Sequence, residues 1–536
     1  MSCRPVGVFW LMLMLAAPQA AAQVSVVNVV PRRMSGETGA NPEPTIAVNP
    51  VNPAHIAIGV VIPGDEFCIA GQRAALYVSQ NAGRSWSYAC VFPRFPGDIE
   101  PFDIALRYGP DGVLYATHLS NTDSLTLRIL DAVHPIGPDP MTKRFEQNHV
   151  DQPWIEVIGV RDTVEVIVSG NDKLLATVDS VKGTGIFFLS RGVRRTGLQF
   201  SPQLVEHRNI TGQNYAIRLA GHRDGTLYAI YYSPRGFEAE SLDVVVARDD
   251  SGGRGKEAFG ALRDLTREGQ PGRGSRCTER DGRIGYRIAR CRAVPFDIVH
   301  DTLFGQERRV AANLSIAVDP RTSRTVYAAW ADSVGDAHYT LHVRRSTDGG
   351  QHWSDDIFVV HNATNPALAI DAKGTVGFAF QELRGVADST RWVTQLVLSD
   401  DAFKTVRRFT LATVPAGSPL AFMFPYIGDY MQLVALGTTF YGVFSAANTP
   451  KRDHFPNGVV FQRRVDFSRH RLLDLDGKPL LDESIDPFFY RVGKAEHPTC
   501  AALRATVRLR PRSDAAVRAT RRINEIGCRN PASRPS

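Results

Sequence analysis

A recurring pair of short apolar strands constrains the fold of this chain more than any other feature. Each copy has a polar start, often with proline, then an apolar run, a turn and a second apolar run. Turns such as GPDG, HRDG and DAKG separate the two runs, which is typical of β-hairpins. The pattern occurs seven times, starting near Glu43, Phe102, Gln152, Asn214, Asn313, Pro366 and Gly428.

The length of the repeat predicts how the copies are arranged. A period of about 50 residues is typical of propeller blades or solenoid units. A third and a fourth strand follow most copies, as in AALYVSQ and SWSYACVF. Four short antiparallel strands per unit, closed radially, form a β-propeller. We therefore predict an all-β β-propeller of four-stranded antiparallel blades, with seven blades favoured and six if one copy is not a full blade.

The N-terminus predicts export. Arg4 precedes the apolar run Val8–Ala17, and the small residues Ala20–Ala22 offer a cleavage site. Residues 1–22 are predicted to be a signal peptide, with an uncleaved anchor as the alternative, and the mature protein to be secreted or periplasmic. No later apolar run reaches the length of about 20 residues that a membrane span needs, so no transmembrane segment is predicted.

The remaining chain divides by composition. Residues 23–467 hold the repeats and are predicted to form the propeller. A Gly- and Arg-rich stretch at about 249–309 interrupts them, and we predict a surface insertion there, either a lid over one face or a tolerated loop. Residues 468–536 are predicted to be a C-terminal extension, with a short helix over Ser513–Ile526.

The cysteines fit an oxidising compartment. Six remain once Cys3 leaves with the signal peptide, and an even number in an exported chain favours disulfides. Local pairing is the simplest arrangement, and metal binding is the weaker interpretation because no C-x-x-C motif is present. The predicted pairs are Cys68 with Cys90, Cys277 with Cys291, and Cys500 with Cys528.

The positive charge is concentrated at the C-terminus. The formal net charge is +7, and residues 500–536 carry nine arginines against only Asp514 and Glu525. The rest of the chain is therefore close to neutral. No nucleic-acid-binding motif is present, so we predict no nucleic-acid partner. The tail either contacts an anionic surface or is simply solvated.

A short motif lies between the third and fourth strands of some units. It has the form S-x-D-x-G-x-x-W, and a degenerate copy spans Ser399–Thr405. A short carboxylate or amide can accept bonds from nearby backbone N–H groups, and glycine permits positive φ, so a structural turn is predicted. The motif residues are Ser346, Asp348, Gly350 and Trp353 in one copy, and Ser79, Asn81, Gly83 and Trp86 in another, with Asn replacing Asp.

This motif is the Asp-box, and its repetition in an exported propeller resembles the sialidase superfamily, or BNR-repeat proteins. The resemblance covers residues 40–465 and implies a propeller with glycosidase-like activity. It also implies three arginines that bind a substrate carboxylate, a tyrosine nucleophile with a glutamate partner, and an aspartate acid/base. The family's F-R-I-P motif is absent, because the matching segment Glu43–Ile46 has no arginine. This departure argues against cleavage of sialic acid.

The polar strand starts are the best candidate for a functional site. In a propeller the first strand of each blade lines the central channel, so these starts converge on one face. Candidate catalytic residues are Asp103, Asp151, Asp429 and Tyr426. Candidate ligand-binding residues are Glu43, Glu100, Gln152, Trp154, Asn214, Asn313, Asn365 and Tyr430. The alternative is that these residues cap strands and solvate a wet channel.

Two functions remain open at this point. The first is a carbohydrate-binding protein that binds, and in one version hydrolyses, a glycan at the strand starts. The second is a non-catalytic propeller that binds an extracellular protein or acts as a scaffold. No cofactor is predicted, although oxygen ligands at the strand starts would suit Ca²⁺. We expect a monomer.

Overall fold

The computed structural model describes most of the chain between residues 23 and 493. The described ranges are 23–61, 68, 72–93, 101–120, 126–132, 141–148, 150–160, 163–172, 184–190, 200–207, 216–234, 241–252, 259–262, 285–294, 296–301, 306–309, 312–333, 339–417, 427–480 and 483–493. Contacts divide the chain into Val24–Val492 and a second unit of residues 1–23 and 493–536. Everything below concerns the first unit, apart from the terminal residues of β1 and β33.

The described residues contain 33 strands and three short 3-10 helices, at Arg32–Met34, Ala387–Ser389 and Arg452–His454. The strands of the first half are β1 (Gln23–Asn28), β2 (Thr45–Val48), β3 (Ile56–Gly59), β4 (Gln72–Ser79), β5 (Ser87–Pro93), β6 (Pro101–Tyr108), β7 (Leu114–Ser120), β8 (Thr126–Ala132), β9 (Thr142–Asn148), β10 (Val150–Val160), β11 (Thr163–Asp172), β12 (Thr184–Ser190), β13 (Phe200–His207), β14 (Ile217–Gly221), β15 (Leu227–Pro234), β16 (Ser241–Asp249) and β17 (Tyr286–Ala293). Those of the second half are β18 (Phe296–Asp301), β19 (Gln306–Arg309), β20 (Leu314–Val318), β21 (Val326–Ser333), β22 (Tyr339–Ser346), β23 (Phe358–His361), β24 (Ala363–Ile370), β25 (Val376–Arg384), β26 (Arg391–Ser399), β27 (Arg407–Pro415), β28 (Gln432–Leu436), β29 (Thr439–Ala447), β30 (Val460–Phe461), β31 (Val465–Asp466), β32 (Arg471–Leu472) and β33 (Ile485–Gly493).

Six of the sheets are blades of four consecutive antiparallel strands. They are β2–β5, β6–β9, β10–β13, β14–β17, β20–β23 and β24–β27. A seventh sheet of five strands has the order β28-β29-β33-β1-β30. The innermost strands β2, β6, β10, β14, β20, β24 and β28 contact one another in a closed cycle. The prediction of an all-β propeller with four-stranded antiparallel blades is therefore confirmed.

The five-stranded sheet joins the two ends of the described chain. β33 pairs antiparallel with β29, and β1 lies beside β33 and pairs in parallel with β30. Ile485–Gly493, which the sequence assigns to a C-terminal extension, is thus a strand of this sheet. The periodic pattern does not reveal it, because β33 pairs with a strand about 40 residues earlier and has no hairpin partner of its own.

The predicted insertion at 249–309 also contains regular structure. Tyr286–Ala293 is the outer strand of the fourth blade, paired with β16, and β18 pairs with β19 as a separate hairpin. Outer blade strands have a polar face toward solvent, so their apolar signal is weak. That is why the sequence pattern does not distinguish this strand from a loop.

Apolar faces of neighbouring blades form the core between them. Between the first two blades, for example, Ile104 and Leu106 of β6 pack with residues of β2–β5, and both are fully buried. A Cβ at Gly59 would lie 2.6 Å from Ile104 Cγ2, so glycine allows these blades to approach closely. Burying each such aliphatic side chain contributes about 1.5–3 kcal/mol. The stacking of blades is therefore the main source of stability.

Two ends of the propeller are distinguished below. The strand-start end is where the innermost strands begin, and the hairpin end is where the first strand of a blade turns into the second and the third into the fourth. At the hairpin end, Gly350 N donates to Ser346 Oγ (2.8 Å), and His352 N donates to Asp348 Oδ1 (3.0 Å). Trp353 Nε1 closes the turn by donating to Gly350 O (3.0 Å).

The other two copies of this turn have the same hydrogen bonds. Gly83 N donates to Ser79 Oγ (2.9 Å) and Ser85 N to Asn81 Oδ1 (2.9 Å). In the degenerate copy, the N–H of Phe403 donates to Ser399 Oγ (2.7 Å) and that of Thr405 to Asp401 Oδ1 (2.9 Å). The predicted structural turn is therefore present even where glycine and tryptophan are missing.

One predicted disulfide is confirmed. Cys68 and Cys90 are bonded, with their Cα atoms 5.6 Å apart. Cys277, Cys500, Cys528 and the side chain of Cys291 lie outside the described structure, as does the predicted helix over residues 513–526. In the part of the chain that is described, no helix is long and apolar enough to cross a membrane.

Candidate functional site

The backbone at the strand-start end repeats an unusual conformation. Glu43, Asp103, Gln152 and Asn365 have φ values of 56°, 47°, 52° and 56°. Non-glycine residues adopt this left-handed region at a cost of about 1–3 kcal/mol, and such residues cluster at functional sites. In β6, β10 and β24 the pairing register shifts at these residues, and such bulges change the direction in which a side chain points. The same left-handed backbone conformation thus positions a polar side chain at the strand start of four blades.

Four acidic side chains converge at this end. Glu43, Asp103, Asp151 and Asp429 are only 3%, 7%, 7% and 4% exposed. Asp103 shares a hydrogen bond with Glu43 and is near enough to Asp151 and Asp429 to interact with both electrostatically. Burial, followed by the negative charge of these neighbours, holds the pKa of Asp103 well above its ordinary value. The cluster therefore favours a protonated carboxylic acid surrounded by carboxylates.

A buried arginine lies beside the acidic cluster. The Arg218 guanidinium is 4.4 Å from the ring centroid of Trp154 and 5.2 Å from that of Tyr430. Its Nη2 donates to Gln152 Oε1 (3.3 Å), and Gln152 Nε2 donates to Asp429 Oδ2 (3.4 Å). Within the described structure, Arg218 Nε and Nη1 have no hydrogen-bond partner. These two donors are available to a ligand or to water.

Arg218 remains a cation in spite of its burial. Burial lowers its pKa to about 10, while Tyr430, Asp103, Asp429 and Glu43 act in the opposite direction. At neutral pH the guanidinium is therefore charged and offsets part of the negative charge of the cluster. Arg218 is not among the site residues predicted from the sequence. The available signal was its position as the lone charged residue inside the apolar strand Ile217–Gly221.

The aromatic pair forms one wall of a narrow cavity on the propeller axis. Trp154 and Tyr430 meet edge to face, with centroids 5.7 Å apart at 87°. The cavity is lined by these rings, Arg218 and Arg107, together with mostly apolar residues of the innermost strands. Arg107 is already paired with Glu156, whose Oε2 is 2.6 Å from Arg107 Nη2. Arg218 also covers Trp154, so this ring is less open to a sugar than the sequence predicts.

Two of the three predicted asparagine ligands, Asn313 and Asn365, make hydrogen bonds within the protein. Asn313 Oδ1 accepts from Thr364 Oγ1 (2.7 Å) and from the Asn365 N–H. Asn365 Nδ2 donates to Gln381 Oε1 (2.8 Å) and to Gly428 O (3.0 Å). These bonds link the fifth, sixth and seventh sheets. Both side chains hold neighbouring strand starts in place, which the sequence does not indicate.

The structure brings most of the predicted site together. The acidic cluster, Gln152, Trp154 and Tyr430 form one connected group with Arg218. The candidates Glu100, Asn214 and Tyr426 lie outside the described residues, and their roles remain predictions. Among the described residues, no group of three or more His, Cys, Asp or Glu is arranged to hold a metal ion. The Ca²⁺ site remains a prediction from sequence.

Comparison with known proteins gives only distant matches. No family model matches the chain, and no curated protein matches it. A protein of unknown function from Dyadobacter fermentans is 8% identical, covering 88% of this chain and 99% of its own, with a TM-score of 0.40. A Hadza microbial sialidase is 11% identical, over 73% of this chain and 70% of its own (TM-score 0.35). An α-L-arabinofuranosidase from Fusarium graminearum is 10% identical, over 74% and 95% (TM-score 0.36). Matches of this strength carry no information on activity.

Proposed function

We propose that the strand-start end binds and hydrolyses a neutral, hydroxyl-rich glycan. The observation that supports this most is the convergence of four buried acidic side chains, among which burial and neighbouring carboxyl groups raise the pKa of Asp103. Glycoside hydrolysis needs such a pair of unlike carboxyl groups: an acid for the leaving oxygen, and a carboxylate on the other side of the bond. Buried carboxylates and amides also suit sugar hydroxyls as hydrogen-bond partners.

Asp103 is the proposed general acid. It would donate its proton to the glycosidic oxygen as the C–O bond breaks, and water would supply the hydroxyl group that the sugar carbon gains. Asp151 and Asp429 are the candidates for the second carboxylate, as nucleophile or as the base that activates water. Gln152 orients both, since its N–H donates to Asp151 Oδ1 (2.8 Å) and its Nε2 donates to Asp429.

Tyr430 is unsuited to a nucleophilic role. Burial first, and then the nearby charges of Glu43 and Asp103, raise the pKa of its phenol well above the ordinary value. The phenolate is therefore disfavoured at this position. Tyr430 is better suited to packing against Arg218 and to donating a hydrogen bond. Hydrolysis here would then rest on carboxylates.

The charge of the site disfavours an acidic sugar. In the described structure, four acidic side chains converge beside a single cation that has no ion-pair partner, Arg218, because Arg107 is paired with Glu156. A ligand carboxylate would be disfavoured by this excess of acidic groups. The site also lacks a cluster of three arginines among the described residues. We therefore expect neutral glycosides to bind better than sialosides.

The test is a panel of 4-nitrophenyl glycosides with neutral and acidic sugars, together with binding to a glycan array. We expect turnover of a neutral glycoside, and a fall of about 10²–10⁴-fold in kcat/KM for Asp103→Asn, which is the usual contribution of a general acid. Asp429→Asn should cause a similar loss. Asp388→Asn, at an exposed carboxylate, is the matched control and should leave the rate unchanged.

The same panel distinguishes the alternatives. Binding of a glycan without turnover would leave a lectin-like module, and would contradict hydrolysis. Neither binding nor turnover would favour the protein-binding scaffold. Preferential cleavage of sialosides would contradict the charge argument. In each case thermal unfolding of the variants shows whether they are folded.

A further inference from the structure

A second cavity lies at the hairpin end, between the fifth and sixth blades. It has a volume of about 610 Å³ and is open to solvent. One wall is the turn that carries Asp348, His352 and Trp353, and the other is the degenerate turn that carries Phe403 and Lys404. We call this cavity the interblade groove. Its volume lies within the range for small-molecule sites.

The groove leaves an aromatic ring accessible that the equivalent turn of the first blade buries. Trp86 is only 5% exposed and packs on Phe489, with ring centroids 5.2 Å apart. Trp353 makes the same hydrogen bond through its Nε1 atom, yet it is partly exposed and lines the groove. The turn therefore does not require an accessible ring. An exposed, rigidly held indole face is a suitable surface for the C–H face of a pyranose.

Two cations with no acidic partner border the same ring. The Arg345 guanidinium lies 5.6 Å from the ring centroid of Tyr327, and within the described structure its buried Nε has no hydrogen-bond partner. Asp319, the acid that Arg345 influences electrostatically, is already paired with Arg321 at 2.6 Å. Lys404 is exposed, and no carboxylate of the described residues lies within ion-pair distance of it.

The acid in the groove is engaged by its own turn. Asp348 accepts from Ser346 Oγ (2.8 Å) and contacts His352 Nδ1 (2.6 Å). Although partial burial acts to raise its pKa, the hydrogen bonds from His352 and Ser346 lower it to about 2. This carboxylate is committed to the turn, and its single negative charge stands against the two cations Arg345 and Lys404. The groove therefore has a net positive charge around its aromatic surface, opposite to the strand-start site.

We propose that the interblade groove binds an acidic sugar residue. The pyranose ring would stack on Trp353, and its carboxylate would pair with Arg345 and Lys404. This site is independent of the strand-start end, because it lies at the opposite end of the strands. It would hold a negatively charged part of a glycan whose neutral linkage is cleaved elsewhere, or anchor the protein to an acidic polysaccharide.

The probes are methyl β-D-glucuronide, methyl β-D-glucoside and inorganic sulfate, titrated calorimetrically into the full-length mature protein. We expect the glucuronide to bind at least about tenfold more tightly than the glucoside, since a paired carboxylate contributes on the order of 1.4 kcal/mol. Lys404→Gln and Arg345→Gln should each weaken glucuronide binding about tenfold. Lys373→Gln, at another exposed lysine of the hairpin end, is the matched control and should change the affinity less than twofold.

A second variant tests the aromatic contact. Trp353→Phe keeps an aromatic side chain in the turn but removes most of the stacking face, so it should weaken glucuronide binding while sulfate binding stays unchanged. Equal binding of glucuronide and glucoside would overturn the proposal, as would an equal loss in Lys373→Gln. If sulfate bound as tightly as glucuronide and Trp353→Phe had no effect, the groove would be a simple anion site. That result would overturn the sugar assignment. These variants should hydrolyse glycosides at the wild-type rate. A loss of binding in the groove can therefore be distinguished from a failure of the proposed strand-start site.

Discussion

The two ends of the propeller hold their acidic side chains in opposite ways. At the strand-start end, burial raises the pKa of Asp103 and Glu37, and neighbouring carboxylates raise it further. At the hairpin end, hydrogen bonds outweigh burial and lower the pKa of Asp348, Asp319 and Asp224. Acids at the hairpin end therefore stabilise the fold as carboxylates. Those at the strand-start end reduce the stability of the fold when they ionise.

This difference indicates that the strand-start end keeps unfavourable local arrangements because function requires them. A half-paired arginine and crowded carboxyl groups occur around the strand starts, whereas left-handed backbone at non-glycine residues occurs at both ends, for example at Asp103 and at Ala402. Natural sequences usually break local rules of this kind at functional sites. Outside the interblade groove, the turns of the hairpin end satisfy their polar groups locally and contribute mainly to stability. Variants at the two ends should therefore separate activity from stability.

The largest effect is expected at a packed turn of the hairpin end. A Cβ at Gly83 would lie 2.1 Å from Phe489 Cε1, and Gly83 has a φ of +84°. Gly83→Ala should reduce the free energy of unfolding by about 3 kcal/mol, from the clash and the backbone strain together. Gly437→Ala is the matched control, because Gly437 also has positive φ (+61°) but no atom within 4 Å of the added Cβ.

Urea unfolding measures both variants. Gly437→Ala should lose only about 1 kcal/mol, the cost of the backbone conformation. Equal losses in the two variants would mean that the contact with Phe489 is unimportant. A change in glycan turnover by Gly83→Ala, measured well below its melting temperature, would contradict the separation between the two ends.

An intermediate effect is expected at Glu37, which belongs to the buried polar group at the strand-start end. Burial, followed by the charge of Asp486, raises the pKa of Glu37 from 4.5 to about 8, although Arg463 acts in the opposite direction. Between these two values the folded protein keeps a proton that the unfolded chain has lost. Stability therefore falls as the pH rises, by up to about 1.4 kcal/mol per pH unit.

Glu37→Gln removes this dependence. The variant should be more stable than wild type at pH 7, with a difference that shrinks as the pH falls toward 4.5. Melting curves between pH 4 and 8 test this, with Glu382→Gln as the control at a surface ion pair with Arg384. A variant that is less stable than wild type at every pH would show that the carboxyl group stabilises the fold.

The smallest effect is expected at Asp348. Asp348→Ala removes the acceptor for the Gln351 and His352 N–H groups, and should reduce stability by about 1 kcal/mol at pH 7. Because the folded pKa is about 2 and the ordinary value is 3.8, the contribution should be present above pH 3.8 and disappear as the pH falls toward 2. Asp355→Ala, at an exposed neighbour, is the control. A loss that does not depend on pH would mean that packing, not the carboxylate, holds the turn.

The fold was predictable because its signals are local. Alternating apolar residues and Gly- or Asp-containing turns specify each hairpin within about 20 residues. Serine, aspartate and backbone N–H groups in the turn at Ser346 lie within a few residues of one another. The closing sheet was not predictable in this way, since β1 and β33 find their partners across the whole chain and carry no repeat pattern.

The candidate site was predictable only in part. Polar residues at strand starts must converge if the innermost strands form a ring, and Asp103, Asp151 and Asp429 follow that rule. The role of Arg218 depends on which way a strand-interior residue points relative to the axis, which the sequence does not reveal. The roles of Asn313 and Asn365 were not predictable either. Their amides make hydrogen bonds between neighbouring blades, and these depend on how the blades pack.

The five-stranded sheet has a consequence for how the protein is made. Its central strands come from opposite ends of the described chain, so this sheet cannot be completed until Ile485–Gly493 has left the ribosome. Until then, the edges of the first and last blades are exposed to other chains, and unpaired edges favour aggregation. β1 also begins at Gln23, directly after the predicted cleavage site. A peptidase that cut a few residues too late would shorten β1 and weaken its pairing in the five-stranded sheet.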